Sequence, residues 1–325
     1  MNLKIAKIFQ TSHSRFHLIV GLKVLAIALF STLFVLFVYW TFLANNYLFF
    51  QANGYERIEN LKEAFYDYIF SETLSFLPFL ALFYISLFFV GSYLGSLLLR
   101  PFKKIAQHCH SIETDQFEVS YKSDLFSELK LLTNFSELFF YYVNQVKAKK
   151  ILGPSVVPPI YSQIRGPVFE KQFFFHFLLI TIIICVGVST FIFNIALILR
   201  EKLILLGADT LLDRDGSVSR YLVSQGDLFE TTLWISIGIE GLLYLWLAIN
   251  LYSSVSMPAF GIFATMRTFM KGNFSARIHL IGFAHLREYT KEINSFLDYL
   301  ETNYLSDTKD KMARPFTKNN KHDQH

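Results

Sequence analysis

Residues that usually carry chemistry are scarce in this chain. Only two cysteines, Cys109 and Cys185, occur in 325 residues. No zinc-type Cys spacing is present, so neither a disulfide framework nor a structural metal is expected. Charged residues make up 17% of the sequence, against about 25% in ordinary soluble chains. There is no G-x-S-x-G elbow, no Walker-type Gly-Lys-Ser/Thr, no kinase phospho-acceptor block and no cyclase-like region. The expectation is a protein that is not an enzyme, takes no cofactor and binds no nucleic acid. What the chain has in quantity is apolar bulk: 53% hydrophobic residues and 36 phenylalanines. That composition points to the lipid bilayer as its main partner.

The apolar residues fall into four long runs. Residues 1–16 are basic, with Lys4, Lys7 and Arg15, and lead into a run from about His17 to Leu43. That run exceeds the apolar core of a signal peptide, about 7–15 residues, and suffices for a transmembrane helix, which needs about 20. Lys23 stands within two turns of its inner end, from which a long side chain can snorkel. The second run covers about Leu74 to Leu99, the third about Phe173 to Leu199 and the fourth about Thr231 to Val255. Two transmembrane hairpins follow, residues 17–99 and 172–255. Their connections, 44–72 and 200–230, are acidic, the first with Glu56, Glu59, Glu63, Asp67 and Glu72. Ile58, Leu61, Phe65 and Ile69 recur there at helical spacing, so an amphipathic helix along the bilayer surface is expected. In the second run Gly91, Ser92, Gly95 and Ser96 give one side small residues, which lets helices approach closely.

Between and after the hairpins Lys and Arg recur: in 100–147 as Arg100, Lys103, Lys104, Lys122, Lys130 and Lys147, in a segment at 148–171 with four prolines, in 256–305, and in a tail from Ser306. Four prolines argue for an extended linker rather than a helix. The tail, residues 306–325, lacks apolar periodicity and is expected to be disordered. Basic residues on these segments place both termini in the cytoplasm and both acidic loops outside.

Much of the chain fits a single offset. Leu99-Arg-Pro-Phe-Lys-Lys-Ile105 returns as Met257-Pro-Ala-Phe-Gly-Ile262, with Pro101 and Pro258 standing 157 residues apart. The same offset pairs Ile105 with Ile262, Ile112 with Phe269, Phe117 with Phe274, Tyr121 with Ile278 and Leu129 with Leu286. Spans, loops and basic segments coincide without a gap, which implies internal duplication. In each basic segment the proline, taken as a helix start, and the residues four and eleven further on share a helix face, the pattern of a short parallel coiled-coil seam. A connector follows, Asp115-Gln-Phe-Glu-Val-Ser-Tyr121 or Gly272-Asn-Phe-Ser-Ala-Arg-Ile278. A second seam then runs Leu129, Leu132, Phe139, Val143 in one copy and Leu286, Tyr289, Ile293, Phe296 in the other.

These elements resemble the HAMP domain, the linker between membrane spans and output modules in bacterial chemoreceptors, sensor kinases and cyclases. The membrane-exit proline, the connector Gly272 to Ile278 and the run Leu286 to Phe296 carry the resemblance, which covers about 100 residues. Asp115 replaces the connector glycine in the first copy, and His285 replaces an acidic residue that Glu128 retains. The resemblance implies two parallel helix pairs, residues 100–147 and 256–305, and a bacterial inner-membrane location. A HAMP unit resembles a four-helix bundle built from two polypeptides. Here one chain supplies four helices, so an intramolecular pseudo-dimer is expected, with a homodimer as the other arrangement.

Glu240 stands near the middle of the fourth run, where a charge costs about 2.5–3.5 kcal/mol on insertion scales. Ser189 and Thr190 of the third run lie at similar depth. Proton sensing, ion coupling, a partner contact and a hydrogen-bonded structural carboxyl are all open readings. His108-Cys-His110 is not expected to hold a metal, because helix neighbours two apart do not face one another. Asp213-Arg-Asp215-Gly216 lacks the later bidentate Glu of a calcium loop. After Phe296 too little chain follows for an output domain, so a separate cytoplasmic or membrane partner would supply output. The expected fold is thus all-α: four transmembrane helices and two HAMP-like pairs. The leading function is relay of transmembrane helix movement to that partner. A structural subunit of an envelope complex is the alternative, and a small transporter using Glu240 the third.

Overall fold

The computed structural model describes residues 12–52, 61–114, 121, 129–210 and 217–313. Among them the architecture is all-α. Seven long helices are α1 (Ser12–Ala52), α2 (Leu61–Ser75), α3 (Leu77–Glu113), α4 (Lys130–Lys149), α6 (Lys171–Thr210), α7 (Ser217–Met270) and α8 (Arg287–Ala313). A single-turn helix, α5 (Pro159–Ser162), lies in the proline-rich segment, and a 3₁₀ turn at Ala284–Leu286 leads into α8. Four helices, α1, α3, α6 and α7, contain stretches long and apolar enough to cross a membrane, which makes this a multi-pass membrane protein. In lipid a helix satisfies every backbone hydrogen bond within itself, which is why uninterrupted apolar sequence takes this form.

The helices run further than their apolar runs. The expected external loop at 200–230 is mostly helix, since α6 continues to Thr210 and α7 begins at Ser217. Asp213, Asp215 and Gly216 lie outside the described residues. The expected surface helix in the first loop corresponds to α2, although Ile58 and the side chains of Leu61, Phe65 and Ile69 lie outside the described set. Helix α8 extends to Ala313, eight residues into the segment expected to be disordered.

The chain divides into two compact units. One is His17–Gly95 with Phe175–Leu251, and the other is Met1–Phe16, Ser96–Phe174 and Tyr252–His325. The first holds the spans. Its α1 and α3 approach at small residues: a Cβ on Gly91 would stand 2.9 Å from the Gly21 Cα, and one on Gly95 would stand 3.1 Å from the His17 Cα. Ser92 donates to the His17 carbonyl at 3.2 Å along this seam. Lys23 donates to Asn250 Oδ1 at 2.9 Å, which partners a cation inside an apolar run. Phe30, Leu33, Phe37, Phe79, Leu82, Phe175 and Leu242 are each more than half exposed, as residues facing hydrocarbon rather than water should be.

The second unit is a helical bundle built from the ends of α3 and α7 together with α4 and α8. Pro101 and Pro258, each expected to open a new helix, instead lie inside unbroken helices. An interior proline removes one amide donor and leaves the carbonyl four residues earlier without its partner, Leu97 and Ser254 here. The Ser254 carbonyl is taken up by the His285 ring, so that gap is closed by a side chain. The helix ends also keep the sequence offset: Glu113 and Met270 close α3 and α7, while Lys130 and Arg287 open α4 and α8.

Candidate functional site

The residues marked by their periodicity converge in the bundle. Ile105 and Ile112 on α3, Leu129 and Leu132 at the start of α4, Ile262 and Phe269 on α7, Leu286 at the end of the 3₁₀ turn and Ile293 on α8 are all at most 1% exposed. Eight residues taken from four separate segments form one core. Tyr289 is 7% exposed, and Pro101 and Pro258 are buried. Burying a large apolar side chain contributes about 1.5–3 kcal/mol, so these stripes hold the unit together.

Contacts join helices across the sequence offset. Phe135 of α4 meets Phe263 of α7 edge-on, with ring centroids 4.7 Å apart, and Phe139 meets Phe269 at 6.3 Å. Phe140 of α4 lies 6.4 Å from Phe296 of α8, and Ser295 donates to Glu113 Oε1 of α3 at 3.3 Å. Directions follow from the order of contacts. His108 packs on Phe140 and Lys147 donates to the Ile112 carbonyl, so α3 and α4 advance together. Phe135 then Phe139 meets Phe263 then Phe269, so α4 and α7 are likewise parallel.

The connector between α7 and α8 is locked by polar side chains. Gly272 ends α7 with φ +104°, a backbone geometry that favours glycine, and a Cβ there would sit 3.3 Å from the Pro154 Cβ. Phe274 packs on Phe269 at 5.3 Å, and Ile278 is 3% exposed. Asn294 closes a two-bond clasp on Ile278, accepting from its amide at 2.8 Å and donating to its carbonyl at 3.0 Å. Arg277 pairs with Asp298 at 2.6 Å and Glu301 at 2.5 Å, and donates to the Phe274 and Ala276 carbonyls. In the other connector Phe117, Asp115 and Glu128 lie outside the described residues. Tyr121 is placed, with its ring 5.2 Å from His108 and 4.9 Å from Phe140.

The proline-rich segment is extended but not loose. It runs back along the bundle as a strap, opposite in direction to the helices. Leu152 donates to the Tyr304 carbonyl and Ser155 to the Met270 carbonyl. Tyr161 packs on Phe135 and Phe263. Arg267 donates to the Tyr161 and Ile164 carbonyls and lies over the Phe263 ring. At the strap's end the Glu170 carboxylate accepts from the amides of Lys130, at 2.5 Å, and Leu131, at 3.2 Å. It thereby caps α4, whose Leu129 supplies no side-chain cap. The Glu170 amide donates to the Tyr252 hydroxyl at 3.0 Å. Burial pushes the Glu170 carboxyl up to about 7, against those two amide bonds and the Lys130 charge, which pull it down.

His285, at the position that is acidic in the other copy, stacks on Phe16 with centroids 4.4 Å apart. Its Nε2 is buried without a partner. Burial holds this imidazole below its usual range, and its bond to the Ser254 carbonyl opposes that shift. Neither the Glu170 cap nor the Arg267 hold on the strap has a signature in the sequence, because both depend on neighbours distant in the chain. Asn294 lies inside the Leu286–Phe296 run, but its partner does not.

In the spanning unit Glu240 is 2% exposed. The hydroxyls of Ser31 on α1 and Ser189 on α6 face its carboxyl. Thr190 does not take part: its side chain is exposed, and its carbonyl accepts from Asn194 at 2.7 Å. Successive helix residues point about 100° apart, so two neighbours at one depth cannot both face the same carboxyl. Around Glu240 stand Tyr84 of α3, Cys185 of α6 and Tyr244 of α7. The Tyr84 hydroxyl donates to Thr32 Oγ1 at 2.5 Å. His108, Cys109 and His110 diverge, with Cys109 buried and His110 exposed. Among the described residues no three His, Cys, Asp or Glu side chains converge on a metal position. No family model matches the chain, and no curated protein or solved structure matches it either.

Proposed function

We propose that this chain is a non-enzymatic signalling protein of the bacterial inner membrane. Movement of its spans biases a HAMP-like four-helix bundle, and a separate cytoplasmic partner reads the result. One observation carries the reading: α3 and α7 each run without a break from an apolar span into a buried seam of one shared core. A rotation or shift of either span is therefore a rotation or shift of a core helix, and packed cores switch between discrete arrangements rather than deforming smoothly. The resemblance to HAMP linkers, the single offset and the repeated helix ends support an internally duplicated signalling unit that forms its pseudo-dimer within one chain. The basic segments support a cytoplasmic bundle with both termini on that side.

A second reading, a membrane anchor in an envelope complex, draws on the outer face of the strap. Val156 is 91% exposed and Ile160 72%, apolar residues that a permanently docked partner would cover.

The two readings part on one experiment. Tagged protein is isolated from its native membranes after mild cross-linking, as wild type and with Ile105→Asn or Ile262→Asn. A kinase, cyclase or chemoreceptor in less than equal amount, with output altered but assembly kept in the variants, supports signalling. A fixed-ratio set of envelope proteins that is lost in the variants overturns it.

A further inference from the structure

We infer that Glu240, with Ser31 and Ser189, forms a proton-binding site inside the membrane-spanning unit. This site stands independently of the bundle's role. Glu240 is 2% exposed and Ser189 8%, and Glu240 Oε1 is fully buried, with the Ser31 and Ser189 hydroxyls at its carboxyl. Two hydroxyls are weak compensation for an ionised carboxylate held in an apolar interior, where an unpaired charge is costly. A proton removes that charge: bound on the carboxyl, it gives Glu240 an O–H that donates to one serine Oγ while the other serine donates to the remaining carboxyl oxygen.

The surroundings favour a proton over a metal cation. Hard cations take about six oxygen ligands; Glu240, Ser31 and Ser189 supply oxygens here, while the nearby Tyr84 and Tyr244 hydroxyls donate to Thr32 Oγ1 and the Val24 carbonyl. The titratable groups nearest the carboxyl are Tyr84, Cys185 and Tyr244. None is cationic, so no fixed positive charge neutralises Glu240. Lys23, a cation of the same unit, is engaged by Asn250. α1, α6 and α7 supply the site's oxygens and α3 the neighbouring Tyr84, so loss of the proton would place an unpaired charge where all four spans meet.

The test uses the full chain in lipid vesicles and dicyclohexylcarbodiimide, which enters bilayers and modifies protonated carboxyls. Labelling is mapped by peptide mass from about pH 5 to about pH 9, the range over which buried carboxyls titrate. The expected result is modification at Glu240 that declines at least tenfold as pH rises, that sodium does not suppress, and that Glu240→Gln abolishes. Glu240→Asp, which keeps the carboxyl, retains labelling and guards against misfolding as the cause of the loss. Absence of labelling at Glu240 throughout the range overturns the inference. So does labelling independent of pH, the mark of a permanently neutral structural carboxyl. Suppression by sodium overturns it in favour of a metal cation.

Discussion

Glu170 joins three elements: the strap, the first turn of α4, and α7 through Tyr252. Replacing it with alanine leaves two amides at the start of α4 without an acceptor. Loss of an N-terminal cap costs about 0.5–2 kcal/mol, so the first turn of α4 opens roughly 2- to 30-fold more often, at 1.4 kcal/mol per factor of ten. Hydrogen exchange by mass spectrometry on peptides covering 129–135, with protein in nanodiscs at one pH, reads that change directly. Exchange should accelerate there while peptides of α8 stay unchanged. The pH dependence has a definite sign. Because the folded-state value, about 7, lies above the ordinary 4.5, the folded chain holds a proton that the unfolded chain has released. Stability of the bundle should therefore fall as pH rises from 4.5 to 7. Glu170→Gln cannot ionise and should flatten that slope. Unchanged exchange at 129–135 in the alanine variant, or an unchanged slope in the glutamine variant, would refute the assignment of Glu170 as the cap.

Other changes act on the same bundle by different physics. Ile262→Ala removes a fully buried side chain and should cost about 2–5 kcal/mol, visible as a lower midpoint in thermal unfolding of purified protein. Gly272→Ala forces φ +104° on a residue with a Cβ and presses it toward Pro154, so the same assay should show a loss of about 1–2 kcal/mol. Arg277→Ala breaks two ion pairs and two carbonyl bonds at a site 16% exposed. Proteolysis should then cut the connector at 271–283 faster than in wild type. Burial holds the His285 imidazole below the ordinary 6.5 in the folded chain. Stability should drop as pH falls through 6.5 and below, and His285→Gln should remove that component.

The core was legible because it is written as periodicity. Apolar residues at Ile105, Ile112, Ile262 and Phe269 recur at a spacing only one helix face satisfies, and all four are fully buried. Glu240 was legible for the opposite reason, as a lone carboxyl in an apolar run. Which neighbour serves it was not, since Ser189 and Thr190 differ only by one step around α6. The docked strap left no sequence signature because it engages largely through its own backbone groups, among them the Leu152 and Ser155 amides and the Tyr161 and Ile164 carbonyls. Prolines there point to extended chain, within which Pro159–Ser162 forms a helical turn, and say nothing of what it lies against. Pro101 and Pro258 misled because proline favours a first helical turn, whereas a continuous span and a side chain such as His285 can carry a helix through it.

A signalling unit complete within one chain requires that α4 and α7 of that chain share one core. The most direct test replaces Cys109 and Cys185, introduces Phe135→Cys and Phe263→Cys, and treats native membranes with a short thiol cross-linker. A core shared within one chain should give a 135–263 linked peptide pair in protein that runs as a monomer, with a yield unaffected when tagged and untagged chains are co-expressed. Cross-linked dimers joining tagged to untagged chains, without the internal product, would contradict it.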